Sequence, residues 1–241
     1  MKKKIIVIAG GLGLIGGSLA KILSKKYFIV VLDKKNSKDK EKYFNVNINN
    51  FNELNNFVKN FKYKIHVAIN ATYPTLKKKN DHFLSNQLNK TSIDYIERHL
   101  VSYYNFTKIF FDYFYKNNTI GKIINFSSIY GTFAPNFKIY VDTKVKSPIE
   151  YSISKAGVII MTKFFSNWAK FKKKKIYINS ISPAGVVSEN TSSSFRNNYK
   201  KYYFSDMVPL NSINKVVNNL LDINNKKSGK NIIIKNNIKI I

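Results

Sequence analysis

Residues 4–17 of the 241-residue chain read KIIVIAGGLGLIGG, and this stretch decides the fold. An apolar run over 4–9 leads directly into a glycine-rich segment, which is typical of a buried strand followed by a tight turn and a helix. The alternative interpretation is an export signal, because lysines precede the apolar run. Repeated glycines weaken the helical apolar segment that a signal needs. We therefore interpret residues 5–9 as a strand.

The glycine-rich turn contains GxGxxG and, in an overlapping register, GxxGxxG. Between a strand and a helix, one glycine makes the turn, one lets the backbone approach a pyrophosphate, and one lets the helix pack on the strand. The free N–H groups at the start of the helix also favour an anion. The turn therefore predicts a dinucleotide site formed by Gly10, Gly11, Gly13, Leu14, Ile15 and Gly16.

Asp33 follows the second apolar run, YFIVVL at 27–32. An acidic side chain at this position can accept hydrogen bonds from both hydroxyls of an adenosine ribose, and it would repel the 2′-phosphate of NADP. Lys34 and Lys35 come next and offer positive charge to such a phosphate. We predict NAD as the cofactor, with NADP as the less favoured alternative.

Short apolar runs alternate with helical patterns along the whole chain. The strands are predicted over 4–9, 27–32, 65–69, 121–126, 176–181 and 231–234, and the helices near 14–26, 51–61, 92–117, 150–171 and 212–223. This alternation predicts an α/β fold in which a doubly wound, Rossmann-like parallel sheet forms a single domain over 1–241. The segments 132–149 and 185–208 break the rhythm and are predicted to be loops near the substrate.

The formal net charge of +28 suggests a polyanionic partner at first sight. Of the 41 basic residues, however, only Arg98 and Arg196 are arginine, the residue on which nucleic-acid recognition depends most. Lysine, asparagine and isoleucine are all abundant along the chain, as expected from A/T-rich codons. We therefore predict no nucleic-acid partner, although such a charge would still attract small anionic ligands.

The absence of cysteine excludes disulfides and thiol catalysis, and with only three histidines we predict no metal site. No apolar run reaches the roughly 18 residues of a transmembrane helix, so no membrane partner is predicted. Without an export signal, the predicted location is the cytoplasm.

Residues 151–155 read YSISK. On a helix, residues i and i+4 share a face, so Lys155 would lie beside Tyr151. A neighbouring positive charge favours phenolate over phenol and lowers a pKa that is ordinarily about 10. The pair is therefore predicted to perform general acid and base catalysis.

Several further segments accompany this pair: GKIINFSSIYG at 121–131, and Asn70-Ala71 after a predicted strand. Together with the glycine turn and YxxxK, they resemble the short-chain dehydrogenase/reductase family over essentially the whole chain. At closer range NATYP at 70–74, SIYG at 128–131 and ISPAG at 181–185 resemble the flagellin-modification oxidoreductases. That branch is associated with bacterial surface sugars of the legionaminic-acid type.

The resemblance implies hydride transfer between a nicotinamide and a hydroxyl or keto group of a small molecule, here a sugar derivative. It implies that Ser128 holds the substrate oxygen, that Tyr151 exchanges the proton, and that Lys155 also bonds the nicotinamide ribose. Asn70, Ala71, Pro183 and Gly185 are implied to contact the cofactor. Tyr73 and Tyr130 are predicted substrate contacts from their positions alone.

A second YxxxK, Tyr140 to Lys144, competes with this assignment. It lies closer to the family's usual distance from Ser128 than Tyr151 does. Pro148 soon follows it, however, and disfavours a long helix through Tyr140. The segment after Lys155 is uninterrupted and apolar, so we assign the catalytic pair to the later motif.

The chain departs from the family's pattern at His99, which stands where the family usually has an asparagine that supports a proton relay. A histidine there could carry the relay, and it would add a group that titrates near neutral pH. The alternative is a histidine that only packs within its helix. The same helix carries many aromatic residues, from which we predict a homodimer or homotetramer.

Two other functions are compatible with parts of this sequence. A sugar-nucleotide epimerase or dehydratase shares GxxGxxG and YxxxK, but such enzymes usually append a substrate domain for which we expect no room here. A non-catalytic nucleotide-binding module would bind the cofactor without turnover.

Overall fold

A seven-stranded parallel sheet in the order β3-β2-β1-β4-β5-β6-β7 forms the centre of the protein. The structure is a computed structural model that describes residues 3–35, 42–73, 90–203 and 205–236. The strands are β1 (Ile5–Ala9), β2 (Phe28–Asp33), β3 (Tyr43–Asn45), β4 (Ile65–Asn70), β5 (Gly121–Phe126), β6 (Ile176–Pro183) and β7 (Asn231–Ile234). The predicted Rossmann-like α/β domain is confirmed.

The helices cover both faces of the sheet. They are α1 (Leu14–Leu23), α2 (Phe51–Asn60), α3 (Lys90–Ile96), α4 (Ser102–Lys116), α5 (Ile149–Phe171), α6 (Ser193–Tyr203) and α7 (Leu210–Leu221). Strand β1 shows why two layers are needed, because all five of its residues are buried. Ile6 and Ile8 belong to one hydrophobic core and Val7 to the other, as the alternation of side chains along a strand requires.

Residues 5–9 are thus a central strand of the sheet, as predicted. Among the described residues, no helix is long and apolar enough to cross a membrane.

Two parts of the secondary-structure prediction are wrong, the missing edge strand and the loop 185–208, and a third, the helix 92–117, is right but lacks a π-helical turn. The short edge strand β3 was not predicted, because its three residues give no periodic signal. The predicted helix 92–117 consists of α3 and α4 joined by a π-helical turn, Glu97–Val101. The predicted loop 185–208 contains α6, whose serine- and asparagine-rich sequence has low helix propensity. The spacing of its buried Phe195, Tyr199 and Tyr203 at every fourth position was the signal that identified a helix.

Candidate active site

The glycine turn after β1 packs too closely for side chains. Gly10 has φ of +76°, and a Cβ at this position would lie 2.8 Å from the Cα of Thr72. A Cβ on Gly16 would collide with the carbonyl oxygen of Gly10. These contacts bring the start of α1 against the ends of β1 and β4, where parallel α/β sheets bind their ligands.

The first turn of α1 is open to an anion. Its N-cap residue, Gly13, offers no side-chain hydrogen bond, and the first turn carries no acidic residue. The side chain of Asn70, at the carboxyl end of β4, is buried, and its Nδ2 has no hydrogen-bond partner among the described residues. We call the turn over Gly10 to Gly16 the nucleotide cradle. Its lack of side chains at Gly10 and Gly16, beside the uncapped start of α1, fits the pyrophosphate of a dinucleotide.

Asp33 lies at the edge of the glycine turn. One of its carboxylate oxygens accepts a hydrogen bond from the backbone N–H of Leu12 at 3.1 Å, and the other accepts from the N–H of Lys35 at 3.2 Å. These bonds hold the carboxylate beside the turn. The structure therefore brings together Asp33 and the glycines, as the sequence predicted.

Helix α5 carries Tyr151 and Lys155 on one face. The Lys155 Nζ lies 5.7 Å from the ring centroid of Tyr151. It donates hydrogen bonds to the carbonyl oxygen of Phe126 at 3.0 Å and to the hydroxyl of Tyr103 at 3.3 Å. Lys155 is 2% exposed, and this burial lowers the pKa of its ammonium to about 7. A lysine with such a pKa is poised between its charged and neutral forms near physiological pH.

Ser128 follows β5 and faces Tyr151. Its Oγ accepts a hydrogen bond from the N–H of Tyr130 at 3.2 Å, which orients the side chain. Ser128 also acts as a hydrogen-bonding neighbour of Tyr151 that lowers the pKa of that phenol. The structure thus brings together Ser128, Tyr151 and Lys155.

The pKa of Tyr151 differs from our expectation. From the sequence we expected Lys155 to lower it, whereas in the structure it is raised above its ordinary value. Burial is the main cause and the neighbouring Tyr73 adds to it, while the hydrogen bond from Ser128 opposes both. Lys155 is not among the causes of this shift, and burial lowers the pKa of Lys155 itself. Tyr151 is therefore a neutral phenol at physiological pH.

The π-helical turn places His99 beside Tyr151. The His99 ring is fully buried and stacks on Tyr95 with a centroid distance of 4.3 Å. It also meets the rings of Tyr73 and Tyr151 edge-on, at 5.1 and 5.9 Å. His99 therefore lies at the site, as the sequence predicted, within a cluster of tyrosines.

The competing pair, Tyr140 and Lys144, has a different environment. Tyr140 ends a short 3₁₀ helix, Phe137–Tyr140, and is 4% exposed, whereas Lys144 is exposed. Between them the backbone at Asp142 has φ of +55°, so no helix connects the two residues. The Tyr140 hydroxyl instead hydrogen-bonds with Tyr130.

The other predicted residues lie around this centre. Tyr73 is 62% exposed, and its ring centroid lies 6.0 Å from that of Tyr151. Ala71 follows β4, Pro183 ends β6, and the N–H of Gly185 donates to the hydroxyl of Tyr199 at 3.0 Å.

Sequence reasoning missed two tyrosines near the site. The hydroxyl of Tyr203, on α6, lies 3.3 Å from that of Tyr130. Tyr103, on α4, contacts Lys155. Neither tyrosine belongs to a sequence motif, so the only indication of its position was its spacing along a helix. Among the described residues, no group of three or more histidine, cysteine, aspartate or glutamate side chains could hold a metal.

Comparison with known proteins agrees with this fold. The sequence model of the short chain dehydrogenases matches residues 4–199. Over 88 residues, 36% of this chain, the sequence is 34% identical to the post-translational flagellin modification protein A of Campylobacter coli. That alignment spans only 33% of the length of the Campylobacter protein.

Two solved structures have the same fold. A short chain dehydrogenase from Leptospira borgpetersenii with bound NAD⁺ has a TM-score of 0.85 at 24% identity, with 98% of this chain and 92% of that chain covered. A 4-hydroxyisoleucine dehydrogenase complexed with NADH has a TM-score of 0.77 at 22% identity, with 96% of each chain covered.

A parallel sheet, a glycine turn open to a dinucleotide, and a tyrosine–lysine pair facing a serine define an oxidoreductase of the Rossmann class. Given the match over most of its length, the chain belongs to the short-chain dehydrogenase family, whose members are NAD(P)-dependent oxidoreductases.

Proposed function

We propose that this protein transfers a hydride between NAD and a hydroxyl or keto group of a sugar derivative. The observation that carries this proposal is the position of Tyr151 and Lys155 on one face of α5, with Ser128 as a neighbour of Tyr151. When bound, the nicotinamide supplies the hydride acceptor or donor. The residues of this chain position the reactants and handle the proton.

Tyr151 gives its hydroxyl proton to the substrate oxygen in the reductive direction and takes it back in the oxidative one. The raised pKa of Tyr151 keeps it protonated at neutral pH, which suits a proton donor. Ser128 would hold the substrate oxygen as its charge changes. His99, whose ring lies against Tyr151, is the proposed further member of the proton path.

One N–H group of the Lys155 ammonium is available to the cofactor. An ammonium carries three N–H groups, and the carbonyl of Phe126 and the hydroxyl of Tyr103 account for two of them. The third is available to the nicotinamide ribose. The glycine turn, Asn70, Ala71, Pro183 and Gly185 would hold the rest of the dinucleotide.

The first test is a calorimetric titration of the purified protein with NADH and with NADPH at moderate salt. We expect micromolar binding of NADH and weaker binding of NADPH, because the Asp33 carboxylate would repel a 2′-phosphate. Asp33→Asn should reduce this difference at least tenfold. Asp142→Asn, which removes an exposed carboxylate far along the chain, is the matched control and should leave it unchanged. Binding of neither nucleotide would contradict the proposal.

A sugar substrate is supported by two observations. The Campylobacter relative is named for flagellin modification, although it aligns with only part of this chain. Two phenols lie next to the proposed catalytic residues, since the Tyr73 ring is 6.0 Å from that of Tyr151 and the backbone N–H of Tyr130 donates to Ser128. Phenols combine hydrogen-bonding hydroxyls with flat apolar rings, a combination that suits the hydroxyls and C–H faces of sugars.

The substrate is tested by following NADH oxidation with keto-sugars, including precursors of nonulosonic acids. We expect turnover with a keto-sugar, and a Tyr73→Ala variant with a KM at least tenfold higher. Turnover restricted to aliphatic or steroid ketones would contradict the sugar assignment. Product formation without net change in NADH, on a cofactor retained through purification, would instead indicate an epimerase. Binding without any turnover would indicate a non-catalytic module.

We also propose that the protein is a homodimer or homotetramer. An apolar groove of about 560 Å³ runs between α4 and α5. Most of the aromatic residues on α4 prove to be core. The exposed aromatic residues that line the groove include Tyr104 on α4 and Phe164 and Trp168 on α5, at 47%, 67% and 43% exposure. Light scattering after size exclusion should give at least twice the monomer mass, and Phe164→Glu should reduce it. A monomer at micromolar concentration would contradict this assembly.

The proposed location is the cytoplasm, because the apolar run after the initial lysines is the central strand of the sheet. Cell fractionation tests this location directly.

A further inference from the structure

Lys155 is buried without a counter-ion in the described part of the chain. Its ammonium contacts the carbonyl of Phe126, and it also lies 4.5 Å from the ring centroid of Tyr103 and 3.3 Å from the hydroxyl of that tyrosine. No carboxylate contributes to its pKa, for which burial is the sole cause of the shift. The ring face and hydroxyl of Tyr103 are therefore the nearest side-chain groups that stabilise the charged form of Lys155, with the Tyr151 ring further away at 5.7 Å.

The hydroxyl of Tyr103 can only accept a hydrogen bond from Lys155. Its own proton is donated to the carbonyl oxygen of Thr72 at 2.9 Å, so its lone pairs are left for the ammonium. Tyr103 is fully buried, and burial raises the pKa of its phenol, which stays neutral at any physiological pH. Tyr103 thus connects three elements: α4, the turn after β4, and α5.

We propose that Tyr103 is a positioning residue, which holds the Lys155 ammonium in its charged form and directed at Tyr151. This proposal rests on the proposed function, in which Lys155 and Tyr151 act together. The titratable groups around the pair are Tyr103 from α4, Tyr151 on α5 itself, and His99 from the π-helical turn, whose ring contacts Tyr151 from the side. Tyr73, after β4, and Tyr140, which ends the 3₁₀ helix, also act on Tyr151.

The stabilisation can be measured without any cofactor or substrate. Carbon-13 at the lysine ε position reports the protonation of each ammonium, and Lys155 should be the lysine that titrates near pH 7. Its signal is assigned by its loss in Lys155→Met. In Tyr103→Phe, which keeps the ring and removes the accepting oxygen, we expect the midpoint to fall by about 1 pH unit.

The matched control is Tyr115→Phe, which removes a hydroxyl at the other end of α4. It should leave the midpoint of Lys155 within 0.2 units or so of the wild type. Tyr103→Leu removes ring and hydroxyl together and should lower the midpoint further. It also supplies a second, independent variant if Tyr103→Phe does not fold. An unchanged midpoint in a folded Tyr103 variant would overturn the proposal.

Kinetics separates positioning from a merely structural role. In Tyr103→Phe the neutral form of Lys155 should appear at lower pH, so the alkaline limb of the kcat profile should move down by about the same unit. The KM of the carbonyl substrate should stay within about twofold, because Tyr103 does not reach it. A fall in kcat of equal size at every pH would contradict the proposal. If no turnover is found at all, the proposed function fails, while the titration still decides the role of Tyr103.

Discussion

The segments Tyr140–Lys144 and Tyr151–Lys155 have the same spacing, yet only the second forms a pair. In the first, the tyrosine ends a 3₁₀ helix and the chain reverses at Asp142, so the lysine lies in solvent. In the second, a continuous helix holds both side chains on one face and buries the lysine. A spacing of four residues therefore carries chemistry only where the backbone is helical.

Lys144 and Lys155 also differ in the free energy needed to place their ammonium groups in the folded protein. An exposed ammonium keeps its hydration, whereas burial shifts the pKa of Lys155 by several units. A function is the simplest reason for a chain to keep such a residue. The following predictions test this contrast.

The largest expected effect is on turnover when the two tyrosines are exchanged for phenylalanine. Tyr151→Phe removes the proposed proton donor and should lower kcat by about 10³-fold. Tyr140→Phe removes a hydroxyl that bonds Tyr130 and should keep kcat within about threefold. Steady-state assays with both variants measure this ratio. Loss of turnover in Tyr140→Phe, with activity kept in Tyr151→Phe, would reverse the assignment.

The second effect concerns the lysines. Lys155→Met removes the charge beside Tyr151 and a donor to the cofactor, so we expect kcat to fall about 10²-fold and the dissociation constant of NADH to rise. Lys144→Met changes an exposed side chain and should alter neither quantity. Equal losses in the two variants would mean that general surface charge, rather than a pair on α5, supports the reaction.

The third effect is a gain in folding stability in Lys155→Met. The folded pKa of Lys155, about 7, lies below the ordinary value of about 10.4 in the unfolded chain. Between these values the unfolded state binds more protons, so this lysine destabilises the fold most at pH 7 and below, and progressively less as the pH rises to 10. Lys155→Met should raise the free energy of unfolding by about 2 kcal/mol at pH 7.

Urea unfolding of the apoprotein at pH 7 and at pH 9.5 measures this gain, which should shrink at the higher pH. Lys144→Met provides the control at both values. A loss of stability in Lys155→Met at pH 7 would show that the lysine contributes more to packing than its burial costs.

The smallest expected effect is the change in folding stability when Tyr140 is substituted. Tyr140→Phe should lower the free energy of unfolding by about 1 kcal/mol, because a buried hydroxyl that interacts with Tyr130 and Ser147 is removed. The Tyr130 hydroxyl keeps Tyr203 as a partner, so the loss should not be larger. The same urea experiment measures it, and a loss above roughly 3 kcal/mol would mean that Tyr140 organises the whole loop.

The sequence was sufficient to predict those parts of the fold and site in which the local backbone geometry requires a particular type of residue. The turn was identified by its glycines, and a Cβ at Gly10 or Gly16 would indeed collide with the neighbouring backbone. The apolar run after Lys155 identified α5. The helical context of the later YxxxK led to Tyr151, and the resemblance to the family led to His99; both lie at the site.

The remainder depended on tertiary contacts. Helix α6 is held by Phe195, Tyr199 and Tyr203 against the core, which offsets its poor helix propensity. The π-helical turn that presents His99 has no sequence signal of its own. The direction of the pKa shift of Tyr151 depends on how deeply the fold buries it, a quantity that spacing cannot supply.

The strand order has a consequence for the nascent chain. Once β1, β2 and β3 have formed, β4, β5, β6 and β7 are each added in turn at the same growing edge. The nucleotide cradle can therefore form early during synthesis, while Tyr151 and Lys155 emerge from the ribosome much later. A translation intermediate that ends before α5 would carry a nucleotide cradle without the groups needed for chemistry.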